Sequence, residues 1–423
     1  MLYGLLSIFV HIKVTNNTHT YTTMMKRFLY VALATFALGL IASCSGDNKK
    51  PDEPQKKEEG TRKYFSVQNF SKEKAFVYTE ALGATQHGKS TTFSFPARKG
   101  QSLVFTVKFS ATKDWFIAPA GLLPLFKEDG TPNTGDLTNL IAIWDANLFD
   151  ASDRYRQKPP TSPVSLFWEK SSDYLAFTLS YDESTGMFTA TLTNKTQPGK
   201  SWNGVFSPGV YSVKNADAQK DPYWMRTYQH YFAQNEPANP AFEEYILTGK
   251  PDKLLEQVKA ETGISFVFSD PVIVVYQGEG HPIFKLGEKD RGQGIKELIQ
   301  NGDVKKLKAA LEQVKGVKAV YTNNIEVILQ PEGAKIYYVI GLNNTNDWFL
   351  ANIEPADGTQ GNFTGTQLFD LGIAKDELPG AGAHQVLYGG KPQPESKPIQ
   401  LVKTSYPIPS LDQVVEVWLK NAH

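Results

Sequence analysis

Short runs in which apolar and polar residues alternate restrict the fold of this chain more than any other feature of its sequence. Such runs occur at residues 64–70, 74–80, 91–96 and 102–110, and glycine, lysine or serine residues separate them. Successive side chains of a strand point to opposite faces, so this period of two predicts strands with one buried face. The sequence therefore predicts a mainly β protein made of antiparallel β-sandwiches.

The same pattern continues further along the chain. Strands are predicted at residues 137–144, 163–168, 175–181 and 187–194, and residues 182–186 (Asp-Glu-Ser-Thr-Gly) have the composition of a hairpin turn. Aromatic residues make up 12% of the chain, which suits sheets that pack face to face. These runs predict an antiparallel pairing of the last two strands.

Length and charge set the limits on domains and partners. The chain has 423 residues, enough for two or three cores at roughly 100–200 residues per domain. Lys plus Arg and Asp plus Glu both number 44, so no net field attracts nucleic acid. The seven histidines are scattered, and neither His-Glu-x-x-His nor Gly-x-Ser-x-Gly occurs. We therefore predict a protein that is not an enzyme and binds no nucleic acid.

The segment before the only cysteine has the features of an export signal. Lys26 and Arg27 precede an apolar stretch at residues 28–40, and Ile-Ala-Ser-Cys follows at 41–44. A charged region, a short apolar region and small residues before a cleavage point are typical of a signal peptide. The tetrapeptide resembles the bacterial lipobox, which implies lipidation of Cys44 after removal of residues 24–43.

This signal predicts how the rest of the chain is held. Translation is expected to start at Met24 or Met25, so residues 1–23 are expected not to be translated. Residues 44–62 are polar and predict a flexible tether. The expected location is the cell envelope, with the lipid anchor in the outer membrane as the membrane contact.

A phosphate-loop pattern needs a structural context that is absent here. Residues 83–90 satisfy G-x-x-x-x-G-K-[ST], which in nucleotide-binding proteins is followed by a helix. The residues that follow, 91–96, predict a strand ending in proline. We therefore predict a glycine-rich hairpin loop that binds no nucleotide.

Helical periodicity is concentrated at residues 241–262 and 292–314, and the two stretches look like copies. Three positions recur 53 residues later: Gly249, Leu254 and Gly263 as Gly302, Leu307 and Gly316. This predicts a duplicated α-hairpin that forms a helical insert at about residues 240–316 in the second sandwich.

A second repeated motif occurs once in each half of the chain. Thr-Lys-Asp-Trp-Phe-Ile-Ala-Pro at 112–119 matches Thr-Asn-Asp-Trp-Phe-Leu-Ala-Asn at 345–352. Each follows a predicted strand, and each precedes an apolar segment containing Asp, at 143–146 and 368–371. Two related sandwich domains are predicted, at residues 63–183 and 184–423.

The order of these motifs resembles the spondin N-terminal domain family, in two tandem copies. Asp114-Trp115 and Trp144-Asp145 fit the family's marks in the first copy, and Asp347-Trp348 with Asp370 fits them in the second. The resemblance implies a β-sandwich similar to calcium-dependent phospholipid-binding domains, with calcium as cofactor in the loops at one end.

The resemblance also implies two sets of calcium ligands, Asp114, Asp145 and Asp150 in copy 1, and Asp347, Asp370 and Asp376 in copy 2. The third family position falls on Phe149 and Ala374, so Asp150 and Asp376 are the nearest carboxylates. Calcium takes six to eight oxygen ligands, which convergent carboxylates supply. The alternative is that the first Asp of each copy binds turn amides while the adjacent Trp fills the core.

These features together predict a lipid-anchored binding or adhesion protein of the cell envelope. Its expected partner is an extracellular protein or glycan. Two alternatives remain open. A calcium-dependent envelope hydrolase would show a cleft with paired carboxylates about 5–9.5 Å apart. A structural component of a surface assembly would show a large apolar patch or an unpaired edge strand.

Overall fold

The computed structural model describes residues 61–148, 162–164, 170–199, 202–215, 231–232, 239–356 and 361–421. The predicted signal peptide, Cys44 and the tether up to residue 60 lie outside this range. The strands in chain order are β1 (Thr61–Asn69), β2 (Phe76–Leu82), β3 (Ser90–Pro96), β4 (Ser102–Phe109), β5 (Trp115–Pro119), β6 (Leu123–Pro124), β7 (Gly135–Asp136), β8 (Ile141–Asp145), β9 (Ser162–Pro163), β10 (Leu175–Asp182), β11 (Met187–Asn194), β12 (Phe206–Lys214), β13 (Val272–Tyr276), β14 (Val317–Thr322), β15 (Ile325–Leu329), β16 (Lys335–Gly341), β17 (Trp348–Asn352), β18 (Gly361–Asn362), β19 (Thr366–Asp370), β20 (Gln400–Leu401) and β21 (Val415–Asn421). The helices are α1 (Ser171–Tyr174), α2 (Pro240–Thr248), α3 (Asp252–Ala260), α4 (Ile295–Asn301), α5 (Lys305–Leu311) and α6 (Leu411–Val414).

The fold is mainly β, as predicted, and its strand pairs are antiparallel. Two large sheets share a run of four strands in chain order, β4-β5-β8-β9 and β16-β17-β19-β20: sheet I has the order β2-β12-β4-β5-β8-β9, with β6 also paired to β4, and sheet II has the order β14-β13-β16-β17-β19-β20. Two smaller sheets complete the fold, sheet III (β3-β11-β10-β7) and sheet IV (β15-β1-β21-β18). The sequence repeat therefore corresponds to the four-strand run that the two large sheets share.

Each large sheet packs one face against a small sheet. Between sheets I and III, the rings of Phe105 and Phe177 stack at 5.2 Å, and those of Phe93 and Tyr211 lie at 4.5 Å. Between sheets II and IV, the ring of Phe65 in β1 contacts the ring of Tyr338 in β16, with the ring centroids 5.2 Å apart. These contacts define two sandwiches that share one continuous hydrophobic core.

The opposite face of each large sheet is covered by a pair of helices. Phe242 and Tyr245 of α2 join a core cluster with Phe116 of sheet I, while Leu298 and Leu307 of α4 and α5 pack in the corresponding cluster of sheet II. Each large sheet is thus buried on both faces, which explains why β4 and β13 have no exposed residue.

Local sequence explains where these helices begin and end. In α2, the Asn239 side chain accepts a hydrogen bond from the Phe242 amide at 3.0 Å, and Pro240 occupies the first turn. Gly249 ends the helix with φ of +70°, and Gly302 ends α4 with φ of +68°. The recurrence of these glycines in the sequence therefore marks equivalent helix ends.

The structure divides the chain differently from the predicted boundary at residues 183 and 184. That position lies in the turn of the β10–β11 hairpin, and β12 joins sheet I beside β2 and β4. The helices α2 and α3, predicted as part of an insert in the second sandwich, pack on sheet I of the first. The first sandwich is therefore nested between β1 and β13 of the second.

Most predicted strands occur close to their expected positions, and one local difference has a clear reason. The first part of the predicted strand 137–144 is a 3₁₀ turn at Thr138–Leu140, fixed by Asp136, whose side chain accepts from the Thr138 amide at 2.9 Å. The predicted strand 163–168 overlaps β9, while residues 165–169 lie outside the described range. Residues 83–89 form a loop between β2 and β3, but it is not the predicted hairpin: β2 pairs with β12 in sheet I and β3 pairs with β11 in sheet III, so the loop crosses between sheets.

Candidate functional site

Both Asp-Trp motifs lie in a hydrogen-bonded turn of the same kind at the end of a sheet. The Thr112 hydroxyl accepts from the Trp115 amide at 3.0 Å, and the Thr345 hydroxyl accepts from the Trp348 amide at 3.0 Å. These bonds fix the turns between β4 and β5 and between β16 and β17. The aspartate between Thr and Trp is therefore held at the same place in each sandwich.

The next strand brings a second aspartate to each turn. Trp115 lies opposite Asp145 in the β5–β8 pair, and Trp348 lies opposite Asp370 in the β17–β19 pair. The register is the same in both copies. The predicted pairs of carboxylates are thus brought together twice, by equivalent strands.

Three carboxylates converge in the second sandwich, at Asp347, Asp370 and Asp376, which we call the Asp347 cluster. One carboxylate oxygen from each lies within 4.8 Å of the others. Asp347 and Asp370 are buried, with 0% and 3% of their surface exposed, while Asp376 is partly buried. Among the described residues, this arrangement has the donor set of a cation site.

The Asp347 carboxylate is only partly satisfied by protein groups. Its Oδ2 accepts hydrogen bonds from the amides of Ile373 and Ala374 at 2.8 and 2.9 Å. Its Oδ1 is buried and has no hydrogen-bond partner. One oxygen therefore binds turn amides, as in the alternative predicted from the sequence, while the other is buried without a protein partner. A buried acceptor without a partner costs about 1–3 kcal/mol.

The other two carboxylates are oriented by their own neighbours. Asp370 accepts from the Gly372 amide at 2.7 Å and from the Gln400 side chain at 3.1 Å. Asp376 accepts from the indole nitrogen of Trp348. Trp348 thus fills the core beneath the cluster and also holds its third carboxylate in place.

Burial makes the charge of this cluster costly. Burial, with the neighbouring charge of Asp370 as the second cause, raises the pKa of Asp347 to about 8. Burial also raises the pKa of Asp376 to about 6, against the effect of its bond from Trp348. The cluster therefore favours either a retained proton or a bound cation at neutral pH.

The first sandwich brings together two of its three predicted carboxylates. Asp114 accepts from the Leu148 amide at 3.0 Å, and Asp145 accepts from the Asn147 amide at 2.7 Å and from the Trp115 indole at 3.2 Å. Burial raises the pKa of Asp145, and the nearby charge of Asp114 adds to this effect. Asp150, the third predicted ligand, lies outside the described residues.

A cavity of about 650 Å³ opens beside Asp114 and Asp145, and we call it the Trp202 pocket. Its lining residues come from the β4–β5 turn, the end of β8 and the segment before β12: Ser110, Ala111, Thr112, Lys113, Asp114, Trp115, Asp145, Asn147 and Trp202. Trp202 stacks on Trp115 with ring centroids 4.6 Å apart and planes at 29°. The same end therefore differs between the two sandwiches. It has an open pocket in the first sandwich and a buried carboxylate cluster in the second.

Two residues at these sites were not identified from the sequence. Trp202 lies outside the repeated motifs, so no counterpart in the second copy marks it. Asn346 precedes Asp347 where Lys113 precedes Asp114, and its side-chain oxygen is buried without a hydrogen-bond partner. The substitution of Lys by Asn within the repeat, together with the different third positions (Phe149 and Ala374), was a sign in the sequence that the two sites differ.

No protein-family model matches this chain, and no curated protein matches it in sequence. Within the described residues, no helix is both long and apolar enough to cross a membrane.

Proposed function

We propose that this chain is a lipid-anchored binding protein of the cell envelope in which calcium stabilises the loops at one end of the second sandwich. The observation that carries the calcium proposal is the unpartnered, buried Oδ1 of Asp347 among three converging carboxylates. A cation would neutralise the repulsion within this cluster and supply the missing partner.

The donor chemistry of the cluster favours a hard cation. Asp347, Asp370 and Asp376 present carboxylate oxygens, which calcium prefers, and no thiol or imidazole belongs to the cluster. Bound calcium would supply positive charge where the sequence places three acidic groups. It would tie the β16–β17 turn to the segment after β19, so the expected role of the ion is to stiffen these loops.

The family resemblance supports the same proposal. The equivalent Asp-Trp turns and the identical register opposite Asp145 and Asp370 are what two tandem spondin-like domains require. In this proposal the second copy holds the ion, because three of its carboxylates converge. The first copy contributes two described carboxylates beside an open pocket.

The sequence before the fold supports the anchored location. The lipobox-like segment ending at Cys44 and the polar residues after it suit a domain held at a distance from a membrane. A protein anchored in this way can contact molecules outside the cell, so adhesion to an extracellular protein or glycan is the proposed role.

Calorimetric titration with calcium tests this proposal. The fragment Glu59–His423, which forms one compact unit, is expected to bind one calcium ion. The Asp347→Asn variant is expected to lose this binding, while the matched Asp114→Asn variant retains it. Magnesium in place of calcium serves as a control for charge alone. If the unaltered fragment binds no calcium at millimolar concentration, the metal assignment fails.

A further inference from the structure

The Trp202 pocket has features of a ligand site that the calcium proposal does not use. Its volume of about 650 Å³ falls in the range of about 300–1,000 Å³ typical of small-molecule sites. It lies at the loop end of the first sandwich and is open to solvent among the described residues.

An exposed indole forms one wall of this pocket. Trp202 has 40% of its surface exposed, which is unusual for a residue that normally buries most of its ring. One face of Trp202 stacks on Trp115, which holds its orientation, and the residue also lines the cavity. A rigid aromatic face of this kind presents a negative π surface to the C–H bonds of a ligand.

Hydrogen-bond acceptors lie next to this aromatic wall. Asp114 and Asp145 each accept from backbone amides, which orients them, and each carboxylate has further lone pairs. Lys113 also lines the cavity. An aromatic face beside fixed carboxylates matches a pyranose ring, which has an apolar C–H face and a rim of hydroxyl donors.

The second sandwich provides an internal comparison. Its equivalent tryptophan, Trp348, is 1% exposed and donates to Asp376 of the buried cluster. The same turn therefore supports a closed, acidic cluster in one copy and an open, aromatic pocket in the other. This divergence separates a stabilising site from a recognition site.

We infer that the Trp202 pocket binds an oligosaccharide, with one pyranose ring stacked on Trp202 and its hydroxyl groups bonded to Asp114 and Asp145. This inference names the ligand class of the proposed binding function, and it rests on that function. It does not require calcium, because the Asp347 cluster lies in the other sandwich.

A free cation or a basic peptide fits the same pocket less well. Lys108 lies beside Asp114, and its ammonium group donates to the Thr112 carbonyl oxygen at 3.3 Å. With Lys113 at the rim, two positive charges accompany the two carboxylates. The pocket therefore offers little net attraction for a cationic ligand, whereas neutral hydroxyl groups retain their hydrogen bonds.

Calorimetry with defined trisaccharides tests the inference. The purified full-length protein is titrated with chitotriose, cellotriose and mannotriose, in calcium and in EDTA. We expect at least one trisaccharide to bind, and we expect Trp202→Ala to weaken binding at least about tenfold. Trp202→Phe keeps a smaller aromatic face and is expected to lose less. Trp418→Ala, at a partly exposed tryptophan of sheet IV, is the matched control and is expected to bind like the unaltered protein.

The outcomes separate this inference from the calcium proposal. Binding that persists in EDTA and in Asp347→Asn protein supports it, whether or not calcium binds elsewhere. The inference is overturned if none of the trisaccharides binds, if folded Trp202→Ala protein binds equally well, or if binding disappears in EDTA. Trp202-dependent binding of oligolysine instead of sugar would overturn the ligand class. Circular dichroism confirms that each variant is folded.

Discussion

Replacement of Asp347 by asparagine is expected to remove a pH dependence that the buried carboxyl imposes on stability. In the folded protein without calcium, burial raises the pKa of Asp347 from 3.8 to about 8. Asparagine has a similar shape and keeps an oxygen that accepts from the amides of Ile373 and Ala374. The variant therefore preserves the turn while it removes the ionisation.

The sign and size of the effect follow from proton linkage. Because the folded state keeps the Asp347 proton at pH values where the unfolded state has lost it, the stabilising contribution is complete below pH 3.8 and is lost as pH rises toward 8. Each pKa unit corresponds to about 1.4 kcal/mol, so the free energy of unfolding should fall by about 4 kcal/mol between pH 5 and 8 relative to the variant. Groups far from Asp347 cancel in this difference, whereas Asp370 and Asp376 contribute to it because their charges act on the Asp347 carboxyl.

Urea denaturation at pH 5, 6, 7 and 8, with EDTA or with calcium, provides the measurement. In EDTA the variant should become the more stable protein as pH rises. Calcium at about a hundred times its dissociation constant should restore about 2.7 kcal/mol to the unaltered protein and little to the variant. A difference between the two proteins that does not change with pH would refute the raised pKa of Asp347.

Three further predictions concern other parts of the chain. Burial lowers the pKa of His281 to about 4, so stability should fall by about 3 kcal/mol as pH drops from 6.5 to 4, and urea denaturation should show a smaller loss for His281→Gln. The Tyr245 hydroxyl accepts from the Lys108 amide at 2.6 Å and donates to the Pro208 carbonyl at 3.0 Å, so Tyr245→Phe should lower the free energy of unfolding by about 1–3 kcal/mol in the same assay. Labelling cells with a palmitate analogue should mark the protein, and Cys44→Ser should abolish the label and release the chain from the membrane fraction, because each buried CH₂ contributes about 0.8 kcal/mol to anchoring.

The sequence predicted the strands well because a period of two directly reports a strand with one buried face. It also predicted both Asp-Trp turns, since a repeated motif requires the same local geometry in each copy. It did not predict that α2 and α3 belong to the first sandwich. A helical period shows that a helix has an apolar face, and it does not show which sheet covers that face.

The two candidate sites were predictable to different degrees for a related reason. Asp347 and Asp370 carry the repeated motif, so their convergence followed from the pairing of adjacent strands. Asp376 joins them through a loop whose path depends on its bond from Trp348. Trp202 is positioned by a contact with Trp115 that is distant in sequence, and no local pattern reports such a contact.

Sheet IV has a consequence for the order in which the parts of the chain can fold. Its strand β1 precedes every other described strand, but its neighbours are β15 and β21, which are made late. The strands of the first sandwich, β2 to β12, are contiguous and can assemble while β1 still has no partner. During that interval β1 presents unpaired backbone groups and the apolar ring of Phe65, both of which favour association with other chains. For the exported protein proposed here, folding intermediates should therefore depend on holdase chaperones of the envelope until β21 pairs with β1.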